Sequence, residues 1–331
     1  MPSLADPLTG GKLQLKNRIV MPPMANDFSD ETGAVNDRHL DHYRARAGAG
    51  VGLMIVEHSY INPNGKMTTR QLGIHDDSLI PGLRRLADTI REAGARSAIQ
   101  LTHAGANTSS GVCGCQPLAP SDVAMPGREE APRPMTLQDI ADLKEDYRAA
   151  ARRARDAGFD SIEIHGAHGF LLCEFVSPHT NRRNDEYGGG MEGRIRLPLE
   201  VIATVRDEVG PDYPLLYRFG ASDFLEDGLD LEEARKIAPR LVAAGVDILD
   251  ISGGLCGSRP QGLADIQGFF VPLAASIKSV VDVPVIGVGG ITEAVAANSF
   301  IEAGKVDLVA VGRALLKNPD WAREALAELA G

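Results

Sequence analysis

Cysteine is scarce in this chain. Cys113, Cys115, Cys173 and Cys256 are all it has, too few and too scattered for a disulfide framework or a four-thiolate cluster, so reduced thiols are expected. Long apolar runs are missing too. None approaches the ~20 residues that cross a bilayer, and the opening MPSLADPLTGGKLQLKNR has no apolar stretch behind a basic start, so neither a membrane partner nor a signal peptide is expected. A basic excess is also absent. A formal charge of -11 and a pI near 5.2 argue against nucleic acid as a partner, because phosphate contacts need a basic face. These absences point to a cytoplasmic protein that handles a small molecule.

What is present is a repeated pattern. Short apolar runs recur at 18–21, 52–56, 96–101, 161–164, 215–219, 247–251, 283–287 and 307–311, which makes eight. Amphipathic stretches of helical length separate them, at 37–47, 78–93, 136–157, 195–209, 231–244, 271–280 and 292–303, and a last one covers 321–329. Five of the runs follow an Ala-Gly pair, as in AGFDSIEI and AGVDILDI, where glycine suits a left-handed helix cap before a strand buried on both faces. Strict alternation predicts a parallel sheet, and eight units predict closure as a (β/α)8 TIM barrel. Barrels of this length form one domain, here residues 1–331. The irregular stretches 104–134 and 177–193 follow strand ends and are expected to act as lids over the active face.

A barrel keeps its chemistry at the C-terminal ends of its strands. The fourth run, Ser161-Ile162-Glu163-Ile164, ends on His165 and His168, three positions apart around Gly166 and Gly169, so the chain turns sharply and both imidazoles can face one cleft. Other strand ends offer Pro23, Met24 and Ala25, then Glu57 and His58, then Gln100 and His103. Arg218 lies inside the apolar run LLYRF, where a charge needs a partner: a bound anionic ligand or an internal carboxylate. Gly289-Gly290 and Gly312-Arg313 follow the last two strands, where a barrel commonly binds phosphate; tight turns are the plainer explanation. His-x-x-His can also hold zinc, with a third ligand from His103, Glu57 or Glu163, but that choice leaves the glycines and Arg218 without a role.

Seven motifs in order, KNRIVMPPM, GLMIVE, IQLTHAG, EIHGAHGF, EFVSPHTNRRNDEYGGG, YRFGASDF and VAVGRALLKNPDW, resemble the Old Yellow Enzyme family of FMN-dependent NAD(P)H oxidoreductases, in particular its single-domain bacterial branch. The likeness spans nearly the whole chain. It implies FMN as cofactor, with NADH or NADPH as reductant. Pro23, Met24 and Ala25 would line the flavin, Gln100 would bond its pyrimidine edge, and Arg218 would sit by N1 and O2, where negative charge gathers on reduction. Gly289, Gly290, Gly312 and Arg313 would hold the phosphate. His165 and His168 would grip a substrate oxygen, with Phe170, Asp27 and Tyr60 along the substrate's path. Relatives range from monomers to larger assemblies, so a homo-oligomer stays open.

Three departures from the family pattern stand out. Phe170 takes the place of a tyrosine that delivers a proton to carbon, which leaves His58, Tyr60, Cys173 or water to supply it. Ala25 replaces a polar residue that tunes the flavin, an effect of roughly 20 mV for one neutral hydrogen bond. His58 stands near the flavin's N5 edge where relatives have a small residue, and is expected to be catalytic. The implied reaction is ping-pong hydride transfer from NAD(P)H through flavin N5 to an α,β-unsaturated carbonyl compound. The alternatives are oxidation or demethylation of an amine on the same scaffold, a non-catalytic flavin-binding protein and, from another class, a metal-dependent barrel hydrolase or lyase with His165 and His168 as ligands.

Overall fold

Each apolar run is short and bounded by turn residues, a pattern that suits a strand covered on both faces. The computed structural model describes residues 2–263 and 265–331. Its barrel strands are β1 (Ile19–Met21), β2 (Leu53–Tyr60), β3 (Arg96–Thr102), β4 (Ser161–Gly166), β5 (Leu215–Gly220), β6 (Ile248–Ser252), β7 (Val285–Val288) and β8 (Leu308–Ala310). All pair in parallel with their sequence neighbours. Ile19 lies opposite Val309, so β8 returns to β1 and the sheet closes.

Among the described residues, eight longer helices surround it: α1 (Asp37–Gly48), α2 (Ile80–Glu92), α3 (Leu137–Asp156), α4 (Met191–Val209), α5 (Leu231–Ala243), α6 (Val271–Lys278), α7 (Ala294–Glu302) and α8 (Trp321–Ala330). Local chemistry starts and stops them. Thr136 and Asp139 form a reciprocal capping box at the head of α3, and Asp230 accepts from Glu233 N at the head of α5. After α3 and α5 the chain turns through Gly158 (φ 85°) and Gly245 (φ 121°), left-handed positions where a side chain would be strained.

The barrel interior explains where the polar residues fall. Val20, Leu53, Ile55, Ala98, Leu216, Ile248, Ile286 and Leu308 pack together inside, and Leu8, Leu13 and Leu15 of an N-terminal hairpin join the same cluster. Side chains on a strand alternate, so two residues further along Ala98, Leu216 and Ile248 come Gln100, Arg218 and Asp250, again pointing inward. Register adds Glu163 beside Gln100 and His165 beside Arg218. The apolar core thus gives way to a buried polar layer at the C-terminal end.

Four features depart from the sequence expectation. β2 runs on to Tyr60, with a register shift between Val56 and Ser59. Residues 104–134 are partly ordered, with a short helix (Ser110–Cys113) and a two-stranded parallel sheet (Leu118–Ala119 with Arg133–Pro134). Helix α4 begins at Met191, which shortens the 177–193 loop. Short helices Leu171–Val176 and Arg313–Lys317 follow β4 and β8.

Candidate active site

The turn after β4 brings the expected residues together. His168 takes a left-handed backbone (φ 59°), its amide donates to Gly253 O at 3.1 Å, and its Nε2 lies 2.7 Å from Ser252 Oγ in a hydrogen bond. The rings of His165 and His168 are 5.3 Å apart, Phe170 is 4.4 Å from His165, and His58 is 5.4 Å from Phe170. Two imidazoles therefore flank one phenyl ring, and the third, His168, meets the group through His165. All three are held neutral. Burial drives His165 and His168 well below the usual histidine range, helped by the Arg218 charge, and burial brings His58 down to about 4.

Beneath them sits the ionic layer. Arg218 Nε is 3.3 Å from Asp250 Oδ2, so an internal carboxylate does partner the arginine, although Nε makes no well-formed hydrogen bond. Gln100 Nε2 donates to Glu163 Oε1 at 2.8 Å, while Glu163 Oε2 has no partner among the described residues. Two acids thus share one cation out of water. Burial and the nearby Asp250 charge raise Glu163 well above the carboxylate range, against the pull of Arg218, and burial also raises Asp250. Burial thus favours the proton on Glu163, and Asp250 faces the Arg218 charge.

The glycine turns fit an anion. Among the described residues, the amides of Gly289, Gly290, Gly312 and Arg313 donate to no protein acceptor. Gly312 also lies close against the β1 end, where an added Cβ would come 2.9 Å from Met24 Sδ and 3.3 Å from Pro22 Cγ. Gly289 (φ 124°) and Gly290 (φ 65°) have backbones that few other residues adopt. Free amides beside Arg313 suit a phosphate, and the neutral histidines, Gln100 and Arg218 suit a polar ring with an anionic edge. These residues fit FMN.

The remaining candidates divide. Pro23, Met24 and Ala25 continue from β1 toward Asn26, whose amide and side chain both donate to Glu57. Asp27, at φ 51°, accepts a hydrogen bond from Thr68. Tyr60 is not with the histidines: its hydroxyl donates to Thr32 O at 3.2 Å and its ring stacks on His75, lining a separate cavity of about 700 Å³ with Glu31, Lys66 and Cys113. The register shift before Ser59 breaks the alternation that would have aligned Tyr60 with His58. Cys173 is buried, with its thiol pushed well above the usual range by burial and by Asp223. His103 accepts from Gly105 N and meets Asn64 through its other nitrogen, so both ring nitrogens are engaged. Among the described residues no three His, Cys, Asp or Glu side chains are grouped to hold a metal ion, and no helix is long and apolar enough to cross a membrane.

Sequence reasoning missed one contributor and the partner of another. Ser252 was legible as a polar group at the end of the sixth strand, but its pairing with His168 was not, and Gln71, whose Nε2 lies 2.7 Å from His58 Nδ1, sits in a short loop 13 residues from its partner. A second cavity, of about 550 Å³, lies beside the histidine turn between Met125, Phe224 and Leu255.

The profile of the NADH:flavin oxidoreductase / NADH oxidase family matches residues 3–330. The chain belongs to that family. It is 45% identical over 320 residues to an NADH oxidase of Thermoanaerobacter brockii, covering 95% of this chain and 49% of that one, so it spans about half of that relative's length. It is 41% identical over 327 residues to an NADPH dehydrogenase of Geobacillus sp. (strain WCH70), covering 98% and 94%. Among solved structures, the old yellow enzyme homologue from Zymomonas mobilis superposes with a TM-score of 0.86 at 28% identity, covering 99% of this chain and 93% of that one. A 2-naphthoyl-CoA reductase complex superposes at 0.93 and 28% identity, covering 98% and 52%. This Old Yellow Enzyme relative is an FMN-dependent NAD(P)H oxidoreductase on a TIM barrel.

Proposed function

We propose that this Old Yellow Enzyme relative reduces the C=C bond of small α,β-unsaturated carbonyl compounds, with NAD(P)H and the acceptor using one cleft in turn. The observation that carries this reading is the neutral pair His165 and His168, 5.3 Å apart above Arg218. Neutral imidazoles present N–H donors without a full charge. Such donors bind a carbonyl oxygen modestly and an enolate oxygen more strongly, so they favour the transition state over the ground state. FMN, when bound, supplies hydride transfer between the nicotinamide and the acceptor.

The fixed cation Arg218, countered only in part by Asp250, favours negative charge on whatever lies above it. Gln100, tied to Glu163, offers its amide oxygen to a ring N–H. Gly289, Gly290, Gly312 and Arg313 hold the phosphate through free amides and one guanidinium. Phe170 carries no acid, Cys173 keeps its proton, and neutral His58 has no spare one. Water therefore delivers the proton to carbon, and His58 binds the acceptor as a hydrogen-bond donor.

The test is anaerobic stopped-flow reoxidation of the NAD(P)H-reduced protein against enones, quinones and amines. Acceleration by enones, with a solvent isotope effect from the water-derived proton, is expected. Silence toward enones, with reduction of the oxidised protein by amines, would replace this reading with amine oxidation.

A further inference from the structure

His58 has a hydrogen-bond environment that fixes which of its nitrogens carries the hydrogen. Amide oxygen and nitrogen are told apart by their partners, and those of Gln71 are unambiguous. Met67 N–H, which can only donate, points to Gln71 Oε1 at 2.7 Å. The carbonyl of His58, which can only accept, receives Gln71 Nε2 at 3.0 Å. The second hydrogen of that same Nε2 is then directed at His58 Nδ1, 2.7 Å away. Nδ1 is an acceptor, so the neutral ring carries its hydrogen on Nε2. That nitrogen makes no hydrogen bond among the described residues and is not sealed off as His165 Nδ1 is, so it opens onto the cleft beside Phe170.

We propose that Gln71 is a positioning residue that locks His58 as an Nε2–H donor, so that this site selects acceptors carrying a second oxygen to receive it. The selection rests on the function proposed above; the tautomer does not. A protonated amine offers donors only and is disfavoured beside this group. A maleimide or nitroalkene offers one oxygen to His165 and His168 and another to His58.

The direct experiment is long-range ¹H–¹⁵N correlation NMR of His58 in the FMN-loaded protein, repeated on Gln71→Glu. Wild type is expected to show Nδ1 bare and Nε2 protonated, whereas the glutamate, which accepts from Nδ1–H, shifts the hydrogen to Nδ1. A wild-type ring protonated on Nδ1, or a variant whose Nδ1 stays bare, would overturn the assignment. The wild-type spectrum is decisive even if the variant fails to fold. In turnover, Gln71→Glu should cut the kcat/KM preference for a maleimide over a mono-carbonyl enone roughly five- to tenfold, the worth of one hydrogen bond, and an unchanged preference would overturn the selection. Protein with the expected tautomer that took up no FMN would support the role of Gln71 while removing the proposed function.

Discussion

Arg218 and Asp250 face each other across β5 and β6, register neighbours with Nε and Oδ2 3.3 Å apart, both almost wholly buried. The pair sits inside the barrel just below the histidines, where its net field acts on a bound ring. Asp250→Asn removes the negative member while preserving shape. The flavin midpoint potential of the variant should rise by about 20–40 mV, measured by dye-equilibrium titration. A fall, or no change, would mean that Arg218 is not the charge that the ring feels.

Phe170 touches His165 at 4.4 Å and His58 at 5.4 Å, so a para hydroxyl placed there would enter the cluster of donors. Phe170→Tyr should speed single-turnover alkene reduction on the order of 100-fold, the scale of positioned general-acid catalysis, and shrink its solvent isotope effect. An unchanged rate would show that proton delivery does not limit the native reaction.

Glu57 connects stability to pH. Burial raises its carboxyl from 4.5 to about 7, against the pull of the Asn26 hydrogen bonds, and the group is 1% exposed. The unfolded chain releases this proton first, so the stability it contributes is full below pH 4.5 and is lost as pH rises toward 7. Glu57→Gln cannot ionise. Relative to wild type it should gain roughly 3 kcal/mol between pH 4.5 and 8 in urea unfolding; a difference that does not vary with pH would contradict the assignment.

Gly312 faces Met24 Sδ at a distance too short for a Cβ. Gly312→Ala should displace the β1 end from the free amides beside Arg313 and weaken FMN binding about tenfold, read by fluorescence quenching, while the barrel's circular dichroism stays native. Unaltered FMN affinity would place the phosphate elsewhere.

The barrel was legible because each strand is a short apolar run between turns and each helix has one apolar face; all eight strands lie where the runs predicted. Elements without an outward polar face escaped notice. Leu171–Val176 is buried at every position, so it has no helical period to detect, and the glycines of GGGMEG masked the first turn of α4. The histidine pair could be read from one turn. Tyr60 could not be placed, because a bulge in β2 reverses the side that counting by twos assigns to it. Asp250 and Gln71 act through partners far along the chain or across a loop, and only the folded register brings them to Arg218 and His58.

The central claim is that neutral His165 and His168 bind an acceptor's oxygen while hydride reaches its C=C bond. Anaerobic mixing of NADPH-reduced, FMN-loaded protein with a cyclic enone measures this directly. Wild type should regain its 450 nm absorbance with a rate that saturates in enone, and His165→Ala should lose that saturation. Equal reoxidation rates for wild type and His165→Ala, or protein that stays reduced in the presence of enone, would contradict it.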